Sequence, residues 1–228
     1  MSPDSNAREE TASLLRDILW ILLLLIAASA AMSFWGAGSI PAGERVAIQW
    51  DAEGATSTVG RTLGLVLVPV LQALLTGLAL AIPRIAPRRR HLLQSRRAYR
   101  VIWLTVMAVL TLSHGLSMLE AAGRDVPVER IVVSAVALLF VIVGNMLSKV
   151  RSNYFVGVRT PWTLSSETSW RKTHRLAGRL FVMVGIGSFL VGLFAGAAVF
   201  TLVFVIGVLT AAAAAVVYSY LVWKKEEA

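Results

Sequence analysis

The sequence predicts an all-α polytopic membrane protein with six transmembrane helices and both termini on the cytoplasmic side. Three observations predict it. The 228 residues are 57% hydrophobic and only 15% charged, with mean hydropathy +0.71, whereas a soluble domain carries about 25% charged residues. The apolar residues form unbroken runs rather than the one-sided stripes of soluble helices. The basic residues alternate between connections, crowding one set and nearly missing the other.

A spanning helix needs about 20 apolar residues to cross about 30 Å of hydrocarbon. Residues 18–34, 63–82, 101–119 and 131–147 meet that need, and His114 is the one ionisable residue within them. Ala28-Ser29-Ala30 offers a small-residue cleavage pattern. The run continues through Met32, Phe34 and Trp35, however, which suits a retained span with an interfacial anchor. The last apolar stretch, 180–223, holds 44 residues without a charge. As one helix it would measure about 66 Å, twice the membrane core. It is therefore read as two spans with a tight turn around Gly196 to Ala198.

Of 22 Lys and Arg, only Arg45, Arg61, Arg124 and Arg130 fall in the first and third connections. Arg84, Arg88, Arg89, Arg90, Arg96, Arg97 and Arg100 crowd the second. Cytoplasmic loops carry the excess of Lys and Arg, which places both termini inside. Topology thus accounts for the net charge of +9, and no direct nucleic-acid partner is inferred from it. The expected partner of the apolar faces is the lipid bilayer. With no cysteine, thiol catalysis, disulfides and thiolate metal sites are excluded.

The chain divides into a cytoplasmic tail (1–13), a two-helix unit (14–94) with an external loop at 39–61, and a four-helix unit (95–228) with a cytoplasmic motif loop at 149–175. Gly178, Gly185 and Gly192 recur every seven residues, and Gly192 with Gly196 makes a GxxxG. Small residues let membrane helices approach closely. Packing within the bundle is the plainer use, and a homodimer interface the sharper one.

Three sets of polar residues are candidate sites. The first lies in and around the motif loop: Asn145, Asn153, Arg159, Pro161, Trp162, Glu167, Trp170, His174 and Arg175. Pro161 disfavours helix at Thr160, and Ser165 is placed to cap a helix starting at Ser166. On that helix Glu167, Trp170, Arg171 and His174 share a face, and Glu167 can pair with Arg171 one turn on. The plain reading is interfacial Trp and snorkelling Arg; the sharper one is a specific site or a specifically folded cap. No zinc-protease spacing, GxSxG, Walker loop or metal-binding carboxylate cluster occurs, so no enzyme activity, cofactor or metal is expected.

The second set is Gln49, Trp50, Asp51 and Gly54 in the external loop, read as an interfacial Trp followed by a turn or as an outward recognition loop. The third is intramembrane: Gln72 near the middle of the second span with Pro69 a turn away, and His114 in the third. An ionisable group at membrane depth suggests function, and this pair motivates the alternative reading of a small-solute transporter or channel. A structural hydrogen bond would satisfy the same physics.

Gly144-Asn145, the run from Asn153 through Arg159-Thr160-Pro161-Trp162-Thr163-Leu164-Ser165, Trp170, Thr173-His174-Arg175 and Gly178 resemble the signature of the SdpI family. The resemblance covers residues 140–190. It implies a non-catalytic bacterial plasma-membrane protein of immunity and signalling, one that protects against a membrane-active peptide toxin and holds a soluble transcriptional regulator at the cytoplasmic face. The external loop resembles a domain of unknown function that often precedes this signature. Pro41, Trp50 and Gly54 fit its pattern, while Gln49 stands at a His position and Asp51 at an Asn position.

Overall fold

The computed structural model describes residues 3–51 and 54–227. Helix α1 (Pro3–Ser39) leads to a hairpin of β1 (Arg45–Asp51) and β2 (Gly54–Gly60). There follow α2 (Arg61–Ile85), the short α3 (Arg89–Gln94), α4 (Arg96–Ala121), α5 (Val128–Leu147), the one-turn α6 (Pro161–Ser165) and α7 (Glu167–Glu227). Six segments are long and apolar enough to span: Glu9–Ser39, Arg61–Ile85, Arg96–Ala121, Val128–Leu147, Glu167–Ala195 and Ala198–Glu227. All six expected spans are present.

Helix α7 is one unbroken stretch of 61 residues, yet it is not straight. A straight helix would set Ser169 and Ser219 about 75 Å apart, but the Ser169 hydroxyl donates to the Ser219 carbonyl at 2.9 Å. Gly192 faces Phe200, and Gly207 faces Val184. These pairs converge on residue 196, so α7 is a helical hairpin whose bend falls where the two-span reading puts it.

Two features add to the sequence reading. Helix α1 begins at Pro3, within the segment read as a tail, and Thr11 and Leu14 are both only 3% exposed. The connection after α1 is more than a turn. It is an antiparallel hairpin pairing Arg45 with Gly60 and Asp51 with Gly54, with bulges between Ala47 and Trp50. The connecting residues 52 and 53 of the expected recognition loop lie outside the described residues.

Two apolar clusters position the rest. One joins α1, α2, α3 and α4 through Leu14, Ile18, Ala79, Leu92, Tyr99 and Met107. The other joins α4, α5 and α7 through Ala98, Met146, Val150 and Trp170. Helix α4 is thus common to both halves. Helices α5 and α7 cross backbone to backbone: a Cβ on Gly144 would meet the Gly178 carbonyl oxygen at 2.7 Å, and one on Gly185 would meet that of Ala137 at 2.7 Å. Two of the three evenly spaced glycines therefore serve packing against α5, and Gly192 serves the bend.

A candidate interaction cap at the motif end

The segment between α5 and α6 has almost no regular structure, so its backbone groups need other partners. Asn153 supplies many of them. Its Oδ1 accepts from the backbone N–H of Phe155 and of Val156, both at 2.8 Å. Its Nδ2 donates to the carbonyls of Arg151 at 2.8 Å and Val156 at 3.2 Å. Both donors and both acceptor sites of the carboxamide are used, and the side chain is fully buried.

His174 closes the same loop from α7. The backbone N–H of Val158 donates to its Nε2 at 3.0 Å, so that nitrogen carries no proton. Its Nδ1 therefore bears the hydrogen and donates to the Trp170 carbonyl at 2.9 Å. The neutral ring stacks on Trp170 at 3.9 Å and 18°, while Trp170 Nε1 donates to the Val150 carbonyl at 2.8 Å. Space for the ring exists because residue 157 is glycine. Gly157 has φ +115°, and a Cβ there would lie 2.1 Å from His174 Nε2.

Thr160 is extended, as Pro161 requires, and caps α6 in a reciprocal box with Thr163. Its hydroxyl also meets Ser219 Oγ at 3.0 Å on the returning arm of α7. Trp162 packs edge-on against Tyr220 at 5.1 Å. The cap of α7 differs from expectation. Ser165 ends α6 and turns its hydroxyl back to the Trp162 carbonyl, whereas Ser166 is extended and accepts the Ser169 N–H at 3.0 Å. Nor does Glu167 pair with Arg171: its carboxylate lies 3.9 Å from the half-exposed His91 Nδ1.

The second connection, read above only as a topological charge, holds the loop from the other side. Arg88 donates to Ser152 Oγ and to the Leu164 carbonyl at 3.0 Å, and lies 5.0 Å from the Tyr154 ring centroid. His91 Nδ1 donates to the Ser152 carbonyl at 2.9 Å. Ser95 Oγ accepts the Arg151 N–H at 2.8 Å. Arg88, Ser95, Ser152, Thr163 and Ser219 are therefore site residues that the sequence reading passed over. A lone Ser inside an apolar run was the available signal for Ser219.

The candidate motif residues thus separate into two groups. Asn153, Trp170 and His174 are buried and knit the cap. Pro161, Glu167 and Arg175 are exposed, as is Arg159, which donates to the Tyr154 carbonyl at 2.8 Å. Trp162 is half-buried. Asn145 lies on α5, exposed, in a groove shared with Arg175. Among the described residues no three His, Asp or Glu converge on a metal position.

The other two candidate sets lie elsewhere. Trp50 Nε1 donates to the Glu120 carboxylate at 2.8 Å, tying the hairpin to the end of α4, and Gln49 is exposed. Asp51 and Gly54 are paired strand ends. Within the bundle Gln72 donates to Thr111 Oγ1 at 2.8 Å, and His114 Nε2 lies 2.8 Å from Ser33 Oγ. Both are buried, and they occupy successive levels of one seam between α1, α2 and α4.

Residues 149–219 match the model of the SdpI/YfhL protein family. The matched segment opens at the motif loop and closes at Ser219, the residue that ties the cap to the returning arm of α7. The similarity extends further: the chain is 28% identical over 184 residues to Immunity protein SdpI of Bacillus subtilis (strain 168), covering 80% of this chain and 85% of that protein. No solved structure matches. With six spanning helices and these similarities, the chain is a multi-pass protein of the bacterial plasma membrane.

Proposed function

We propose that this protein is a non-catalytic membrane immunity protein that protects its cell from a membrane-active peptide toxin. The similarity to Immunity protein SdpI over most of both chains carries the reading. The cap supports a non-enzymatic role, because Asn153 uses its carboxamide in folding the loop and the His174 imidazole has both nitrogens bonded to backbone. In this reading both termini and the cap are cytoplasmic, in line with the distribution of Lys and Arg. The exposed cap residues Arg159, Glu167 and Arg175 then offer a surface on which a soluble regulator is held, and the hairpin faces the toxin from outside.

The test is membrane potential in the native host, with and without this gene, in medium conditioned by sibling cells. Depolarisation only in the deletion strain, reversed by the intact gene, is the expected result. Equal potentials in both strains would overturn protection.

A small-solute transporter or channel is the second reading. It rests on the seam between α1, α2 and α4, where the buried Ser29 Oγ, Gln72 Oε1 and Thr76 Oγ1 have no partner among the described residues. Solute flux in proteoliposomes, lost in Gln72→Leu, would favour it; no flux under any gradient would dismiss it.

A further inference from the structure

The crossing of α5 and α7 leaves a groove of about 660 Å³ on its flank, which borders the cap and shares Arg175 with it. Gly144 and Gly178 bring the two backbones into contact, so side chains on either side of the crossing stand apart and wall a trough. Asn145 and Ser148 wall it from α5, Arg175 and Arg179 from α7, and Val182 and Met183 continue it toward the membrane interior.

The four polar side chains are exposed. None has a hydrogen-bond or ion-pair partner among the described residues, in contrast to Asn153 and His174 in the cap beside them. Arg175 and Arg179 are one turn apart, so their like charges repel unless an anion lies between them. Asn145 sits within the last turn of a spanning helix, where a carboxamide without a partner is costly. Met183, at 67% exposed, is an apolar surface directly below the charged end. The groove is thus cationic and hydrogen-bonding at one end and apolar at the other.

We infer that this groove binds one anionic glycerophospholipid from the leaflet on the motif side. The phosphodiester lies between Arg175 and Arg179, the headgroup hydroxyls meet Asn145 and Ser148, and an acyl chain runs along Val182 and Met183. Charge complementarity and the polar-to-apolar order of the walls select this occupant. A soluble anion would leave the apolar half unused. The inference does not depend on the immunity reading.

Native mass spectrometry of the intact, delipidated protein with added phosphatidylglycerol tests it, with phosphatidylcholine and inorganic phosphate as competing probes. One phosphatidylglycerol should be retained about tenfold over phosphatidylcholine, in keeping with two basic groups at the headgroup. Arg175→Gln with Arg179→Gln should bring retention down to the phosphatidylcholine level. Lys224→Gln with Lys225→Gln, an equal charge change at the same membrane face, should leave it unchanged. Asn145→Leu keeps every charge and should still lower retention, which covers the case where the double arginine variant fails to fold. Equal loss in the two double variants would reduce the effect to diffuse attraction and overturn the site. Equal occupancy by inorganic phosphate would overturn the lipid as its ligand.

Discussion

At the motif end Asn153, Thr163, Trp170 and His174 are each no more than 1% exposed, and each bonds to backbone. At the hairpin end Ile48 is 40% exposed and Gln49 faces outward, and the hairpin is tied to the bundle by the Trp50–Glu120 bond, by Val46 and Ile40 packed on Met118, and by Val46 against Gly64. Both ends are short connections between spanning helices. The difference lies in who satisfies the backbone. The hairpin pairs its own strands, so its backbone is satisfied without specific side chains. The cap has no ladder, so specific side chains must take the place of one, and a long fixed motif follows. A dense polar signature is here a folding requirement first, and the surface it presents is what remains exposed once that requirement is met.

Glycine substitutions break this contrast most sharply. Gly157→Ala places a Cβ on His174 at a positive φ and should cost on the order of 3 kcal/mol, seen as a lowered thermal midpoint in detergent and new proteolysis near residue 157. Gly64→Ala is the hairpin counterpart: its Cβ would meet that of Val46 at 2.5 Å. It should cost about 2 kcal/mol, read in the same melt, with the protease resistance of the cap unchanged. Trp50→Phe removes only the bond to Glu120 and should cost about 1 kcal/mol, read as a small shift in the same melt with the cap's protease resistance unchanged. Asp17→Asn, which removes a 3.9 Å pair with Arg100 between half-exposed side chains, should change stability by less than about 0.5 kcal/mol.

How far each region was legible follows from the same physics. The six spans and the bend near residue 196 were readable because lipid forces a fixed length of apolar chain on any helix that crosses it. The hairpin was not. The bulges between Ala47 and Trp50 break the alternation of β1, and β2 reads Gly-Ala-Thr-Ser-Thr-Val-Gly with little apolar content, so no period of two stands out. In the cap the extended Thr160 before Pro161 and the helix from Glu167 were legible as local effects. The roles of Arg88 and Ser219 were not, because their partners are 64 and 59 residues away in the chain. Ser165 and Ser166 are adjacent and chemically equal, so only the extended backbone at Ser166 decides which one caps α7.

Amide hydrogen exchange on the full chain, comparing the protein with His174→Ala, tests most directly whether the motif is a folding code. Loss of the imidazole leaves the Val158 N–H without its acceptor, so exchange over residues 153–158 should accelerate by about tenfold or more, while β1 and β2 exchange as before. Unchanged protection across residues 153–158 in that variant would contradict the account.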